Sequence, residues 1–223
     1  MIMNTVADST ISNDDISANL PEGADVTLTK GPKGGDQVTV FKNVDGMDVT
    51  IKGEKTGVVG EKITNSTFSA QGTKGSVEEI VIQAEGLYGS TIKNDGKGSI
   101  SVTHQTGDFK KSVIDAGENK KRADFVKFGN DAKIIKGEMI MGKGNDTVRF
   151  KKNAVFQKKT TVDLGKGGAD EVYVKAINGV EGGKLQINTF TKKDELTIGK
   201  TTFDYKDIKG GAELPGNIKV DLA

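Results

Sequence analysis

Met141-Gly142-Lys143-Gly144-Asn145-Asp146-Thr147-Val148-Arg149-Phe150 is the stretch from which the fold can be read. Its Asp-x-apolar-x-apolar phrase returns as Asp170-x-Val172-x-Val174 and Asp194-x-Leu196-x-Ile198, at 24-residue steps, and stands upstream as Asp36-x-Val38-x-Val40. Weaker copies fill the intervals: Ile16, Ile63-Thr64, Ile80-x-Ile82, Ile100-x-Val102, Val126-x-Phe128 and Ile218-x-Val220. Alternation of period two marks a strand with one buried side. Repetition of that strand from end to end marks units that bury their apolar sides only by stacking on one another.

A second strand seed follows the first within a period: Val49-Thr50-Ile51 after Val38, Val162-Asp163-Leu164 after Val148, Leu185-Gln186-Ile187 after Val172, and Phe203-Asp204-Tyr205 after Leu196. Helical periodicity is missing and glycine interrupts most windows, so the reading is all-β. We expect a right-handed parallel β-solenoid of about nine to ten coils of roughly 23 residues, with the hand taken from the general bias of parallel crossovers. An antiparallel β-sandwich is the alternative, since short strands separated by turns also fit it. Repetition of one phrase after one kind of glycine turn favours the solenoid. Residues 25–206 are the expected repeats, 1–24 an amino-terminal cap or assembly-anchoring segment, and 207–223 a carboxyl-terminal cap.

Composition fits a thin core shared along a stack: 223 residues are 34% hydrophobic and only 5% aromatic. Thirty-two basic and 31 acidic residues nearly cancel, which argues against both disorder and a strong global pull on nucleic acid. Cysteine is absent, so neither a disulfide nor a thiolate metal site can form. Met1 to Asp8 shows neither a basic nor an apolar leader region, so no cleavable secretory signal is expected. No apolar run has the length of roughly 20 residues that spans a bilayer.

The glycine turns carry the one recognisable motif. Gly142-Lys143-Gly144-Asn145-Asp146-Thr147-Val148-Arg149, Gly165-Lys166-Gly167-Gly168-Ala169-Asp170-Glu171-Val172-Tyr173 and Gly31-Pro32-Lys33-Gly34-Gly35-Asp36-Gln37-Val38-Thr39 resemble the RTX, or hemolysin-type calcium-binding, nonapeptide, each with a departure. The resemblance implies a β-roll with calcium between turns, held by the Asp carboxylates and turn carbonyls, and so names Asp146, Asp170 and Asp36 as candidate calcium ligands. RTX repeats come as consecutive nonapeptides, whereas these come once per coil. In-register stacking would place Asp146, Asp170 and Asp194 about 5 Å apart, and charges that close must be neutralised. A hard cation is one solution. A parallel lysine column drawn from Lys33, Lys97, Lys121, Lys143, Lys166 and Lys192 is the other, and local N–H bonds to turn aspartates are the plainest.

Catalysis finds little support in the sequence. His104 is the one histidine, which excludes a multi-imidazole metal site, and no nucleophile elbow or phosphate loop appears. Glu78, Glu79, Glu118 and His104 with Asp108 are the acid–base clusters worth naming, in a chain without tryptophan to stack sugars. Asn65-Ser66-Thr67 and Asn145-Asp146-Thr147 match the glycosylation triplet. The expectation is a non-enzymatic structural or attachment protein that decorates a virion capsid or a cell surface. It would bind a protein partner or symmetry mates, possess no cofactor, and neither bind nucleic acid nor insert in a membrane. The alternative is a secreted calcium-binding RTX-like module.

Overall fold

The computed structural model describes residues 9–12, 16–18, 25–29, 37–41, 43–52, 55–117, 123–175, 183–215 and 217–223. Three parallel strand ladders wind along one axis. The back ladder has ten strands, from Ser9–Ser12 through Asp25–Thr29, Asp48–Ile51, Thr67–Ala70, Thr91–Asn94, Val113–Asp115, Glu138–Ile140, Lys159–Asp163 and Lys184–Phe190 to Ile218–Leu222. A front ladder runs from Ile16–Ala18 and Gln37–Phe41 through Ser99–His104, Phe125–Phe128, Thr147–Phe150 and Glu171–Val174 to Glu195–Ile198. The short ladder joins Asn43–Asp45, Asp108–Lys110, Lys133–Ile135 and Val155–Gln157. The long strands Lys55–Thr64 and Val77–Tyr88 belong to both front and short ladders, so these two merge into one sheet. The chain is a β-solenoid; a sandwich would require antiparallel pairing throughout.

The period-two seeds point inward as their sequence requires. Val126, Val148, Val172 and Leu196 are register partners on the front ladder, with exposures of 0, 0, 1 and 0%. The second seeds Val49, Val162 and Ile187 lie buried on the back ladder. An aromatic stack fills the middle: Phe128 lies parallel to Phe150 at 5.2 Å, and Phe109 and Phe156 meet them edge-on at 5.2 and 4.9 Å. Burying each such side chain is worth about 1.5–3 kcal/mol, so a narrow core suffices when every coil contributes to it.

Two expectations need correction, the equal coils and the strand at Phe203. The described strands do not form nine to ten equal turns: only from Gln37 to Asp163 do they occupy all three ladders coil after coil. Equivalent positions lie 19 residues apart at Asp45 and Thr64 but 33 apart at Leu185 and Ile218, because turns absorb insertions that ladders cannot. Each regular coil crosses three ladders, with a short strand such as Lys133–Ile135 after the front strand or one long strand such as Val77–Tyr88 spanning both. Phe203 does not begin a further parallel strand: Thr201–Phe203 folds back antiparallel on Glu195–Ile198. The helix Tyr205–Lys209 follows, capped by the Asp204 carboxylate on the N–H groups of Lys206 and Asp207. Of the expected caps, Ser9–Ser12, Ile16–Ala18 and Ile218–Leu222 are strands within the ladders.

Candidate functional site: the buried acidic corner

In four successive coils the turn from the back ladder into the front ladder buries an acidic side chain at the corner. Asp124, Asp146, Asp170 and Asp194 occupy successive coils with exposures of 2, 1, 1 and 1%. Each carboxylate Oδ1 accepts a backbone N–H from the coil before it: Ile100 N to Asp124 (2.7 Å), Asp124 N to Asp146 (2.9 Å), Asp146 N to Asp170 (2.8 Å) and Asp170 N to Asp194 (3.0 Å). Asp194 Oδ2 also accepts from Thr191 N at 2.6 Å. The column therefore pairs amide groups that the turn withdraws from the ladder, where an unpaired buried N–H would be costly.

Burial acts first on the ionisation of this column. It raises Asp146 to about 7, against the opposing N–H bond from Asp124, and the charges of Asp124 and Asp170 add to the rise. Asp170 is likewise pushed up to about 7 by burial, against the N–H of Asp146 and with help from the charge of Asp194. Asp146 Oδ2 is buried with no hydrogen-bond partner, as suits a carboxyl that carries a proton near neutrality.

The RTX-like turns lead into this corner, and their glycines have a task that involves no ligand. Gly165 (φ +74°) and Gly168 (φ +147°) hold backbone shapes that side chains resist. A Cβ on Gly165 would overlap the carbonyl of Gly142, and one on Gly168 that of Gly144. Successive turns thus stack backbone to backbone. Asn145 joins in by accepting the N–H of Ala169 at 3.0 Å.

One oxygen of each corner carboxylate is already taken by a backbone N–H. Calcium gathers six to eight oxygens, whereas here N–H groups, the positive ends of amide dipoles, face each Oδ1. No group of three His, Cys, Asp or Glu side chains among the described residues is placed to hold a metal ion. Asp36, the third candidate ligand, lies outside the described residues.

The remaining acid–base candidates do not converge. Glu78 is buried and bonded to Ser76 Oγ at 3.0 Å, while Glu79 belongs to the outward set of its strand. His104 points into the core at 1% exposure, edge-on to Phe109 and Phe128, with Nε2 3.3 Å from the Gly107 carbonyl. Burial lowers its pKa, so the ring is neutral. Asp108 instead faces out to the Tyr88 hydroxyl at 3.5 Å. Glu118 lies outside the described residues.

A second polar column escaped the sequence reading. At the corner between short and back ladders, Ser66 N donates to Ser90 Oγ (3.1 Å) and Ser90 N to Ser112 Oγ (3.2 Å). The hydroxyls donate onward to the carbonyls of Thr64, Tyr88 and Lys110. Its signal was a serine two residues before Phe68, Ile92 and Ile114. No family model, curated protein or solved structure matches the chain.

Proposed function

We propose that this protein is a non-enzymatic structural or attachment protein, a rigid β-solenoid that decorates a larger assembly such as a virion capsid or a cell surface. The observation that supports this reading is the use made of the buried polar columns: aspartate and serine side chains alike bind the amide groups of the neighbouring coil. In that role polar groups stiffen a rod. Protein partners or symmetry mates dock at an end of the rod, where strand edges invite pairing, and residues 1–20 are the proposed anchor.

Gradient-purified particles probed with an antibody to this chain test the reading. The chain should co-sediment at fixed stoichiometry, and a variant lacking residues 1–20 should fold yet fail to incorporate. Recovery of the chain solely from the soluble fraction would overturn the proposal. The secreted calcium-binding module makes a separate forecast: a melting temperature that climbs with calcium and collapses with chelator. The N–H-filled acidic corner favours a melting temperature indifferent to both.

A further inference from the structure

On the outer side of the front ladder three neighbouring strands bring together side chains that are distant in sequence. Lys127, Arg149 and Tyr173 are successive register partners, and Phe125 lies beside Lys127 on the same outer face. Lys151 and Lys175 continue the next column, each donating its N–H to the preceding coil, at Phe128 and Phe150 respectively. These six residues line a shallow depression of about 540 Å³. Rungs repeat at about 4.8 Å and alternate residues along a strand at about 6.6 Å, so four cations crowd an area barely larger than two sugar rings.

Nothing in the fold requires that crowding. Among the described residues, the ion pair recorded at this patch is a long one, Arg149 to Glu171 at 4.0 Å between half-exposed side chains. Like charges at such spacing raise one another's energy and are relieved by an external anion. The flanking strands end the patch, because Thr103 and Gln105 on one side and Glu195 and Thr197 on the other supply no cation. The arginine fork and the ammonium groups match carboxylates, and the half-buried Tyr173 ring offers an apolar floor between them. Phe125 is already covered by the Arg149 guanidinium, 5.5 Å from its ring centroid. Single-stranded nucleic acid wants a succession of open rings, and one remains.

We propose that this depression binds a short run of an acidic polysaccharide, one carrying a carboxylate on successive sugars. The proposal stands independently of the assembly reading, because it concerns the side of the rod rather than its end.

Binding of fluorescein-labelled oligogalacturonate to the full chain, followed by anisotropy in low salt, tests it. The acidic oligomer should bind, a neutral dextran of equal length should not, and raised salt should weaken binding. Lys151→Gln with Lys175→Gln should lower affinity at least about tenfold at an unchanged melting temperature. Lys62→Gln with Lys111→Gln, on the separate basic surface beside Tyr88, should leave affinity unaltered. Equal loss in both pairs, tighter binding of oligothymidylate than of oligogalacturonate, or no binding of the acidic oligomer would each overturn the assignment.

Discussion

The acidic corner and the serine corner meet one geometric demand with different chemistry. At both, the chain leaves one ladder for the next, an amide group loses its ladder partner, and a side chain on the following coil accepts its proton. Asp170 does this for Asp146 N at 2.8 Å, and Ser112 for Ser90 N at 3.2 Å. A hydroxyl can return a proton to a carbonyl and so closes its own account, as Ser112 does to Lys110 at 3.1 Å. An ionised carboxylate only accepts, and in a dry corner its charge must be suppressed or shared. Polar columns that look interchangeable therefore differ in one respect: the aspartates make part of the solenoid sensitive to pH.

The comparison breaks most violently if the apolar ladder beside the acidic corner is charged. Val172→Asp should unfold the central coils, a loss above about 4 kcal/mol, because its carboxylate would sit unpaired in the core. A cooperative, wild-type-like urea transition for this variant would refute the inward register. Asp170→Ala and Ser112→Ala should each cost about 1–3 kcal/mol, by stranding the buried amides of Asp146 and Ser90 respectively. Urea midpoints of the two variants, compared at pH 6, decide whether the carboxyl column carries more of the load.

A pH series sharpens the difference. With folded values near 7, Asp146 and Asp170 retain protons that the unfolded chain has released above its ordinary carboxylate range. The native state thus binds more protons between about pH 4 and 7, so this contribution is full at low pH and is lost as pH rises through 7. Asp146→Asn with Asp170→Asn should flatten that decline and melt higher than wild type at pH 8. Ser112→Ala should keep the wild-type slope.

His104 supplies the smallest effect and the opposite sign. Its lowered pKa favours the neutral ring in the fold, so its contribution is present above the ordinary histidine value and is lost as pH falls through the folded one. His104→Leu should therefore remove a destabilisation seen below the ordinary histidine value, without changing the decline between about pH 4 and 7. Loss of the decline between about pH 4 and 7 in this variant would reassign the titration to the core.

The front and back ladders were legible where a strand places apolar residues at i and i+2, as in Val148-Arg149-Phe150. The short ladder was not, since Lys133–Ile135 and Val155–Gln157 each turn one buried residue inward, Ile134 or Phe156, and one residue has no period. Asp146, Asp170 and Asp194 announced their column through a shared phrase. Asp124-x-Val126-x-Phe128 has the same phrase without the glycine turn that marks the others. What neutralises the column could not be read, because backbone amides carry no letter in a sequence. The basic depression was invisible for a different reason: its residues converge only once coil lengths of 22 and 24 residues fix which rung lies above which.

The reversed strand Thr201–Phe203 has a consequence for growth. A parallel ladder is a template with polarity, and the top of one solenoid could in principle seed the bottom of another into an endless filament. Here the front ladder finishes on a strand running the other way, fastened by Leu196 opposite Phe203 and by a 2.9 Å contact between the Thr197 and Thr202 hydroxyls. An arriving coil would meet amides and carbonyls in antiparallel order, while the back ladder beneath it, ending on Ile218–Leu222, still asks for a parallel neighbour. The two demands cannot be met by one incoming solenoid coil. Reversal of three residues thus opposes the stacking of another solenoid on this end of the described front ladder.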